Sequence, residues 1–354
     1  MILRLTPKRG RGYNSDMASP LPPGTVTAAC LFAGMGGFSA GLRRAGVTTL
    51  WANEIDKFAC RTFRHNHPGK VKVIEKDIRD LSVKGDSLPP VDILTAGFPC
   101  QSFSVAGHKR GFEDERGRLF DEIIRLIEEF GDNKPKILLM ENVPHLMNGN
   151  NGQWFETVVS KVQFAGYWFD SNSSVALLNT ARVSPLPQSR ERLFMAALST
   201  SAFRANGFQF PKTNGAAHKL SRFIDKSRKA AKRNYLPPDN RYYECIMQKV
   251  KAGKTDSIYN LRRYYARENR GQCPTLTANM GGGGHNVPFV KDSWGIRRLT
   301  ISECASLQGF KGYKFPKDVP VMEQYRQIGN AVSVPVAEKL GKECVRLIVS
   351  TRER

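Results

Sequence analysis

The sequence predicts an α/β fold built on a doubly wound, mostly parallel sheet, into which a smaller domain is inserted. Short apolar runs alternate with helical segments from Thr25 to about Leu198, and this alternation is typical of parallel sheets. After Ser199 the chain becomes basic and loses its periodicity, which indicates a separate module. Because parallel sheets bind ligands at the carboxyl ends of their strands, we expect the functional residues to follow the apolar runs.

Four apolar runs that end in small or polar residues are predicted to be buried strands, namely VTAACLFAG, TTLWAN, VDILTAG and KILLMEN. Between them, GFSAGLRRAG and the stretch from Gly117 to Phe130 are predicted to be helices. Apolar residues of the second helix fall on one face at a spacing of three or four, namely Phe120, Ile123, Ile124, Ile127 and Phe130. Two further helical segments are predicted at 299–310 and 325–349.

The length of 354 residues allows one large domain and a smaller one. We predict a disordered basic tail over 1–22, a first domain over 23–198, an inserted domain over 199–295, and a C-terminal segment over 296–354. Met17 begins a second plausible start of the chain.

The charge of the chain points to a polyanionic partner. The formal net charge is +22, and residues 204–270 hold 17 Lys and Arg against 5 Asp and Glu, together with six of the ten tyrosines. Nucleic acid is the simplest such partner, while a generally basic protein or a membrane-surface binder are the alternatives.

Cysteine use and hydropathy indicate a reducing cytoplasm and no membrane. The seven cysteines are widely spaced, with no CxxC and no cluster at zinc-ligand spacing, so we expect thiol chemistry and no metal. No apolar run approaches the roughly 18 residues that span a bilayer. The N-terminus lacks the apolar region of a secretory signal.

A glycine-rich loop, Phe32-Ala33-Gly34-Met35-Gly36-Gly37-Phe38, follows a predicted strand and precedes a predicted helix. Such a loop brings backbone N–H groups to a ligand, and NAD, FAD and S-adenosylmethionine are the candidates. The alternative is that the loop is only a tight turn. Glu54, after the next strand, suits ribose hydroxyls, and Asp77, after a third, suits an adenine amino group. Each acid alone is often a surface residue, but their order favours a nucleoside ligand.

Cys100 lies in GFPCQSFS at the carboxyl end of the strand VDILTAG, behind a proline that rigidifies its approach. Most cysteines are inert core residues, but its polar neighbours favour a reactive thiol. A nearby cation or helix N-terminus would raise its thiolate fraction.

Charged residues follow two further strands. Glu141, after KILLM, suits a general acid or is an exposed strand-end charge. Arg190 and Arg192 in QSRER are two residues apart, so on a strand they share a face suited to phosphate or a base carbonyl. The alternative for this pair is a solvated turn.

In this order the segments resemble the motif set of the DNA (cytosine-5) methyltransferase family, of the bacterial modification type. LFAGMGGFSAG resembles its cofactor loop, GFPCQSFS its nucleophile motif, ENV its acid motif and QSRER its arginine motif. RRLTISECASLQGF and QYRQIGNAVSVPVA resemble the two late motifs, and GHKRGFEDERGRLF resembles the mobile loop that closes over DNA. The chain departs from the pattern at Cys30, where an acid is usual, at Ser306, where arginine is usual, and in SPLPQSR.

The resemblance implies a Rossmann-like, S-adenosylmethionine-dependent methyltransferase domain with an inserted target-recognition domain. It implies methyl transfer to C5 of a cytosine flipped out of a specific sequence of double-stranded DNA, through a covalent bond between Cys100 and C6. Glu141 would support protonation at N3, Arg192 would hold O2, and Arg190 would orient the site. The residues expected to contact DNA are Gln101, Ser104, Gln188, Thr275 and Leu276.

The resemblance also implies a cofactor site, in which Phe32 would stack on adenine and Asn330 would close the pocket from the last motif. The cofactor-binding residues expected are Phe32, Ala33, Gly34, Met35, Gly36, Gly37, Glu54, Ile55, Asp77, Ile78, Phe98 and Asn330. A monomer is expected, with a cognate restriction endonuclease acting separately. The alternatives are a tRNA cytosine-5 methyltransferase, a flavin or nicotinamide oxidoreductase, and a catalytically silent DNA-binding module.

Overall fold

The computed structural model describes residues 21–22, 24–67, 69, 71–99, 118–213, 219–250, 256–262 and 265–352. The predicted tail over 1–22 lies almost wholly outside these residues. Within them, none of the helices combines the length and the apolar character that crossing a membrane requires.

In chain order the strands are β1 (Thr27–Leu31), β2 (Thr48–Glu54), β3 (Lys72–Glu75), β4 (Ile93–Ala96), β5 (Ile137–Asn142), β6 (Tyr167–Trp168), β7 (Val175–Asn179), β8 (Gln188–Ser189), β9 (Glu191–Ser199), β10 (Ser257–Arg262), β11 (Tyr265–Arg270), β12 (Cys273–Pro274), β13 (Phe289–Asp292) and β14 (Gly295–Arg298). The helices are α1 (Gly37–Arg44), α2 (Lys57–Asn66), α3 (Leu119–Glu129), α4 (His145–Asn148), α5 (Gln153–Phe164), α6 (Thr180–Val183), α7 (Arg241–Met247), α8 (Ile301–Leu307), α9 (Val321–Asn330) and α10 (Val334–Arg352).

The main sheet has the strand order β3-β2-β1-β4-β5-β9-β6, with β7 also paired to β9. The pairs among β1 to β5 are parallel, and β9 runs antiparallel to β5, β6 and β7. The prediction of a doubly wound, mostly parallel sheet is therefore confirmed. All four apolar runs predicted to be strands form β1, β2, β4 and β5.

Helices cover both faces of this sheet, because its central strands are apolar on both sides. Along β5, Leu138 packs into one core and Leu139 into the opposite one. The first core also takes the predicted face of α3, since Phe120, Ile123 and Ile127 are all buried there. Parallel strands of this kind read as continuous apolar runs rather than as alternating ones.

A second sheet has the strand order β11-β10-β13-β14, and its first two strands along the chain, β10 and β11, belong to the basic stretch 204–270. Buried ion pairs tie it to the C-terminal part of the chain: the Arg297 guanidinium contacts Asp292 and Glu303 at 2.8 Å each, and it also donates to the Asp225 carbonyl. The strand β14 runs across the predicted domain limit between residues 295 and 296. The division into domains remains a prediction.

The C-terminal segment returns to the first domain. A Cβ added to Gly41 in α1 would lie 2.4 Å from the Ala337 Cβ, so α1 and α10 pack at close range. The prediction of one helical segment over 325–349 is wrong, because the structure has two helices there. The first ends at Asn330 and the second begins at Val334. Pro335, the second residue of α10, has no N–H to bond the Ala331 carbonyl, as a helix that continued from α9 would require.

Candidate active site and nucleic-acid interface

The glycine loop is a tight turn between β1 and α1. Phe32 has a φ of 51°, in the left-handed region that a residue with a Cβ rarely adopts. Gly36, with a φ of 97°, caps α1 without a side-chain hydrogen bond. The Ala33 N–H donates to the Asn53 carbonyl at 3.0 Å, so the loop is fastened to the end of β2. Strain at one non-glycine residue is typical of backbone held for a ligand.

Glu54 joins the glycine loop to the start of α2. One carboxylate oxygen accepts from the Gly34 N–H at 2.8 Å, and the other accepts from the N–H groups of Ile55 and Asp56 at 2.9 Å. Burial raises the pKa of this carboxyl group despite these hydrogen bonds. The first two predicted cofactor motifs are thus in direct contact.

The surroundings of this contact suit a nucleoside. The Ile55 side chain is 63% exposed although it is apolar, and nothing lies within 4 Å of a Cβ built on Gly34. Ile78, the residue after the predicted acid Asp77, is buried. Arg79 contacts both Asp77 oxygens, and this hydrogen bonding lowers the pKa of Asp77.

Met35 and Gly37 pack against the C-terminal part of the chain. The Met35 side chain is fully buried in a core shared with the C-terminal helices, so a cofactor contact by this predicted residue would come from its backbone. A Cβ on Gly37 would lie 2.6 Å from the Val332 carbonyl oxygen, which leaves room only for glycine. Asn330, two residues earlier, is exposed at the end of α9.

Glu141 and Arg192 form the ion pair at the centre of the site. The Arg192 Nε lies 3.1 Å from Glu141 Oε1, and Glu141 is only 9% exposed. A Cβ built on Gly97 would lie 3.9 Å from Glu141 Oε2. The acid motif therefore lies directly beside the chain segment that leads into the nucleophile motif.

The start of the nucleophile motif is held from both sides. The buried Phe98 ring packs against Phe120 of α3 at 5.2 Å between centroids. The Asn142 amide donates to the Phe98 carbonyl at 3.3 Å. Cys100, Gln101 and Ser104, with nearly all of the predicted closing loop, lie outside the described residues.

Arg190 and Arg192 do not share a face, contrary to the prediction. The Arg190 N–H donates to the Gln188 carbonyl at 2.9 Å, so the chain turns between β8 and β9. The Arg190 guanidinium is buried and donates to the Leu276 carbonyl at 2.7 Å. Arg190 therefore binds the insert, while Arg192 binds the acid.

Gln188 and Leu276, both predicted to contact DNA, have fully buried side chains. The Gln188 amide donates to the Leu307 carbonyl at 2.9 Å and accepts from the Leu276 N–H at 3.1 Å. The Thr275 hydroxyl is half-buried and donates to the Ser189 carbonyl at 2.7 Å. These residues fasten the arginine motif to the insert through the parallel pair of β8 and β12.

Two asparagines that the sequence reasoning missed fix the site. The Asn53 amide donates to the carbonyls of Ile74 and Lys76, which sets the spacing between the ends of β2 and β3. Asn142 holds the nucleophile motif as described above. Each asparagine follows buried strand residues inside a motif, and this position in the sequence could have identified it as a site residue.

Two of the three departures from the family pattern are Cys30 and Ser306. Cys30 is buried and its sulfur lies 3.1 Å from the Ser39 hydroxyl oxygen. Burial raises the pKa of this thiol, so it packs as a neutral group. Ser306 lines a cavity of about 550 Å³ beside residues 220–227 of the insert.

Comparison with known proteins agrees with the arrangement of these motifs. The family model described as C-5 cytosine-specific DNA methylase matches residues 26–346. The chain is 39% identical to the type II methyltransferase M.Bsp6I of Bacillus sp. (strain RFL6), over 89% of this chain and 96% of the relative. It is 31% identical to the type II methyltransferase M.Eco47II of Escherichia coli, over 92% of this chain and 80% of the relative. A DNMT2 mutant of Spodoptera frugiperda superimposes with a TM-score of 0.68 at 19% identity, over 90% of this chain and 99% of that chain, and so shares the fold.

Proposed function

Since the chain belongs to the C-5 cytosine-specific DNA methylase family, we propose that it methylates C5 of a cytosine in a specific double-stranded DNA sequence through a covalent bond between Cys100 and C6. One observation carries the assignment of residues. The buried Glu141–Arg192 ion pair lies next to Gly97, three residues before Cys100. An acid, a cation and a thiol-bearing segment thus converge at the ends of adjacent strands.

The described residues fit S-adenosylmethionine, which supplies the methyl group when bound. An exposed apolar side chain, Ile55, adjoins the Glu54 carboxylate, and open space lies beside Gly34. This combination offers an apolar surface for a base and an acceptor for ribose hydroxyls. Phe32, Asp77, Ile78 and Phe98 follow the carboxyl ends of β1, β3 and β4, and together with the exposed Asn330 they would complete the site.

The chain's own residues account for the activation of cytosine. The Cys100 thiolate would form a bond to C6 while Glu141 supports a proton on N3, and the electron pair gained at C5 would form the new carbon–carbon bond. Arg192, at 3.1 Å from Glu141, is placed to hold O2 as charge develops on the ring. Loss of the C5 proton to a water molecule then expels the Cys100 thiolate and restores the aromatic ring.

The target carbon is reached only when the cytosine is flipped out of the duplex, which costs a few kcal/mol. Contacts between the basic insert and DNA phosphates would offset this cost. Raising the salt concentration should therefore weaken binding steeply.

Methylation of plasmid DNA, followed by base-resolution mapping of 5-methylcytosine, tests the proposal. We expect Cys100→Ala to abolish turnover and to retain DNA binding, and Glu141→Gln to slow methylation by roughly 10²- to 10⁴-fold, the usual contribution of a positioned acid. Cys245→Ala is the matched control, because Cys245 is a half-buried cysteine of the insert. Turnover by the Cys100→Ala variant would contradict the mechanism.

Duplex DNA containing 5-fluorocytosine at the mapped site provides an independent test. The C5 fluorine cannot leave as a cation, so the wild-type enzyme should become covalently linked to this DNA when the methyl donor is present. A parallel assay on tRNA separates the two polymers, since preferential methylation of tRNA would overturn the choice of DNA.

We further propose a cytoplasmic modification enzyme of bacterial type that acts as a monomer, with a cognate restriction endonuclease acting separately. The type II names of the relatives support this setting. Gel filtration at assay concentration tests the monomer, and cleavage of unmethylated host DNA by an extract of the source cells tests the endonuclease.

A further inference from the structure

A glycine-rich segment of the insert, residues 281–284, packs against α9. A Cβ on Gly281 would lie 2.8 Å from the Arg326 Cβ, and one on Gly283 would lie 2.5 Å from the Met322 Cε. At about 1.5 Å of rise per residue, these α9 residues lie about 6 and 12 Å along the helix from Asn330. The segment is therefore held against a helix whose end meets the cofactor loop.

The chain enters this segment from the arginine motif. Leu276 is bonded to Arg190 and Gln188 in the arginine motif, and short 3₁₀ turns follow over 278–282 and 284–286. Nine residues separate His285 from Leu276, so the two lie within about 30 Å of each other, the reach of an extended chain. That limit corresponds to about nine base pairs of duplex at 3.4 Å each.

Aromatic and cationic side chains gather at the outer end of this segment. The exposed His285 ring lies 5.7 Å from the Tyr242 ring, and the Arg241 guanidinium lies 4.5 Å from the centre of the Tyr242 ring. Arg298 Nε donates to the Gly284 carbonyl at 2.9 Å. We call His285, Tyr242 and Arg241 the reading cluster.

We propose that the reading cluster contacts one base pair of the recognised sequence, with His285 touching the base edge and the Arg241–Tyr242 pair supporting it. The inference rests on the proposed function. An imidazole carries hydrogen-bonding nitrogens on a short, stiff stem, which suits a base edge. Gly282 and Gly284 are exposed and have no side chain, so the groove can approach the backbone beside His285.

Rates of methylation on a set of duplexes with every single-base substitution in and next to the mapped site test this inference. For His285→Ala we expect the preference at one position to fall about tenfold or more, since one base contact gives about 1–3 kcal/mol of discrimination. Tyr242→Leu should weaken the preference at the same position. His65→Ala is the control, because His65 is an exposed histidine on α2.

Salt dependence separates a base contact from a phosphate contact. A base contact leaves the slope of log affinity against log salt unchanged, whereas loss of a phosphate contact reduces it by about one. The inference is overturned if His285→Ala keeps the wild-type preference at every position, or if it loses rate equally on all duplexes with a smaller salt slope. If the wild-type protein methylates no cytosine, the proposed function fails instead.

Discussion

The buried amide of Gln188 provides a quantitative test of how the insert is attached to the catalytic domain. Gln188→Leu keeps most of the side-chain volume and removes both of its hydrogen bonds, to the Leu307 carbonyl and from the Leu276 N–H. Each orphaned backbone group costs about 1–3 kcal/mol. The expected loss is about 2–6 kcal/mol, a large part of the 5–15 kcal/mol that stabilises a typical domain.

Urea unfolding followed by circular dichroism measures this loss, and the DNA affinity of the folded variant is measured separately. Gln209→Leu is the control, because Gln209 is exposed and its substitution should change the free energy of unfolding by less than about 0.5 kcal/mol. If Gln188→Leu costs under about 1 kcal/mol and instead weakens DNA binding tenfold, Gln188 contacts DNA and the structural reasoning is wrong.

Two further predictions concern buried charge. Burial lowers the pKa of His67 to about 4. As the pH falls, this histidine therefore takes up its proton in the unfolded chain before it does so in the folded one. The free energy of unfolding should fall by about 3 kcal/mol between about pH 6.5 and 4. His67→Gln, which can still bond the Tyr313 hydroxyl, should remove this part of the pH dependence in urea titrations, and an unchanged pH profile would contradict the prediction. Arg297→Met should cost about 3–5 kcal/mol because it leaves two buried carboxylates without their cation. Arg298→Met should cost far less, because the half-buried Arg298 donates one hydrogen bond, to the Gly284 carbonyl. Equal losses for the two variants in urea unfolding would refute the buried-pair explanation.

The main sheet could be predicted from the sequence because its strands and helices carry strong local signals. The apolar face of α3 is a helical repeat, and Glu54 and Glu141 follow apolar runs that could only be buried strands. The order of motifs then gave the family, which the comparisons confirm.

The second sheet could not be predicted because its central strand is covered on both faces. Ser257, Ile258 and Tyr259 of β10 are consecutive and all buried, so the alternation that identifies a half-exposed strand is missing. The direction in which a side chain points could not be predicted from the sequence either. Gln188 is polar and lies in the arginine motif, but only the packing of β8 against β12 shows that its amide points inward.

The packing of α1 against α10 has a consequence for how the protein is made. The ribosome delivers the cofactor loop about 290 residues before Val332 and Ala337, so Gly37 and Gly41 lack these partners until those residues have been made. A nascent chain interrupted before Val332 would contain the segments around Cys100 and Glu141 but lack this support. Catalytic competence should therefore appear only after α10 has been synthesised, and products truncated before Val332 should leave DNA unmethylated.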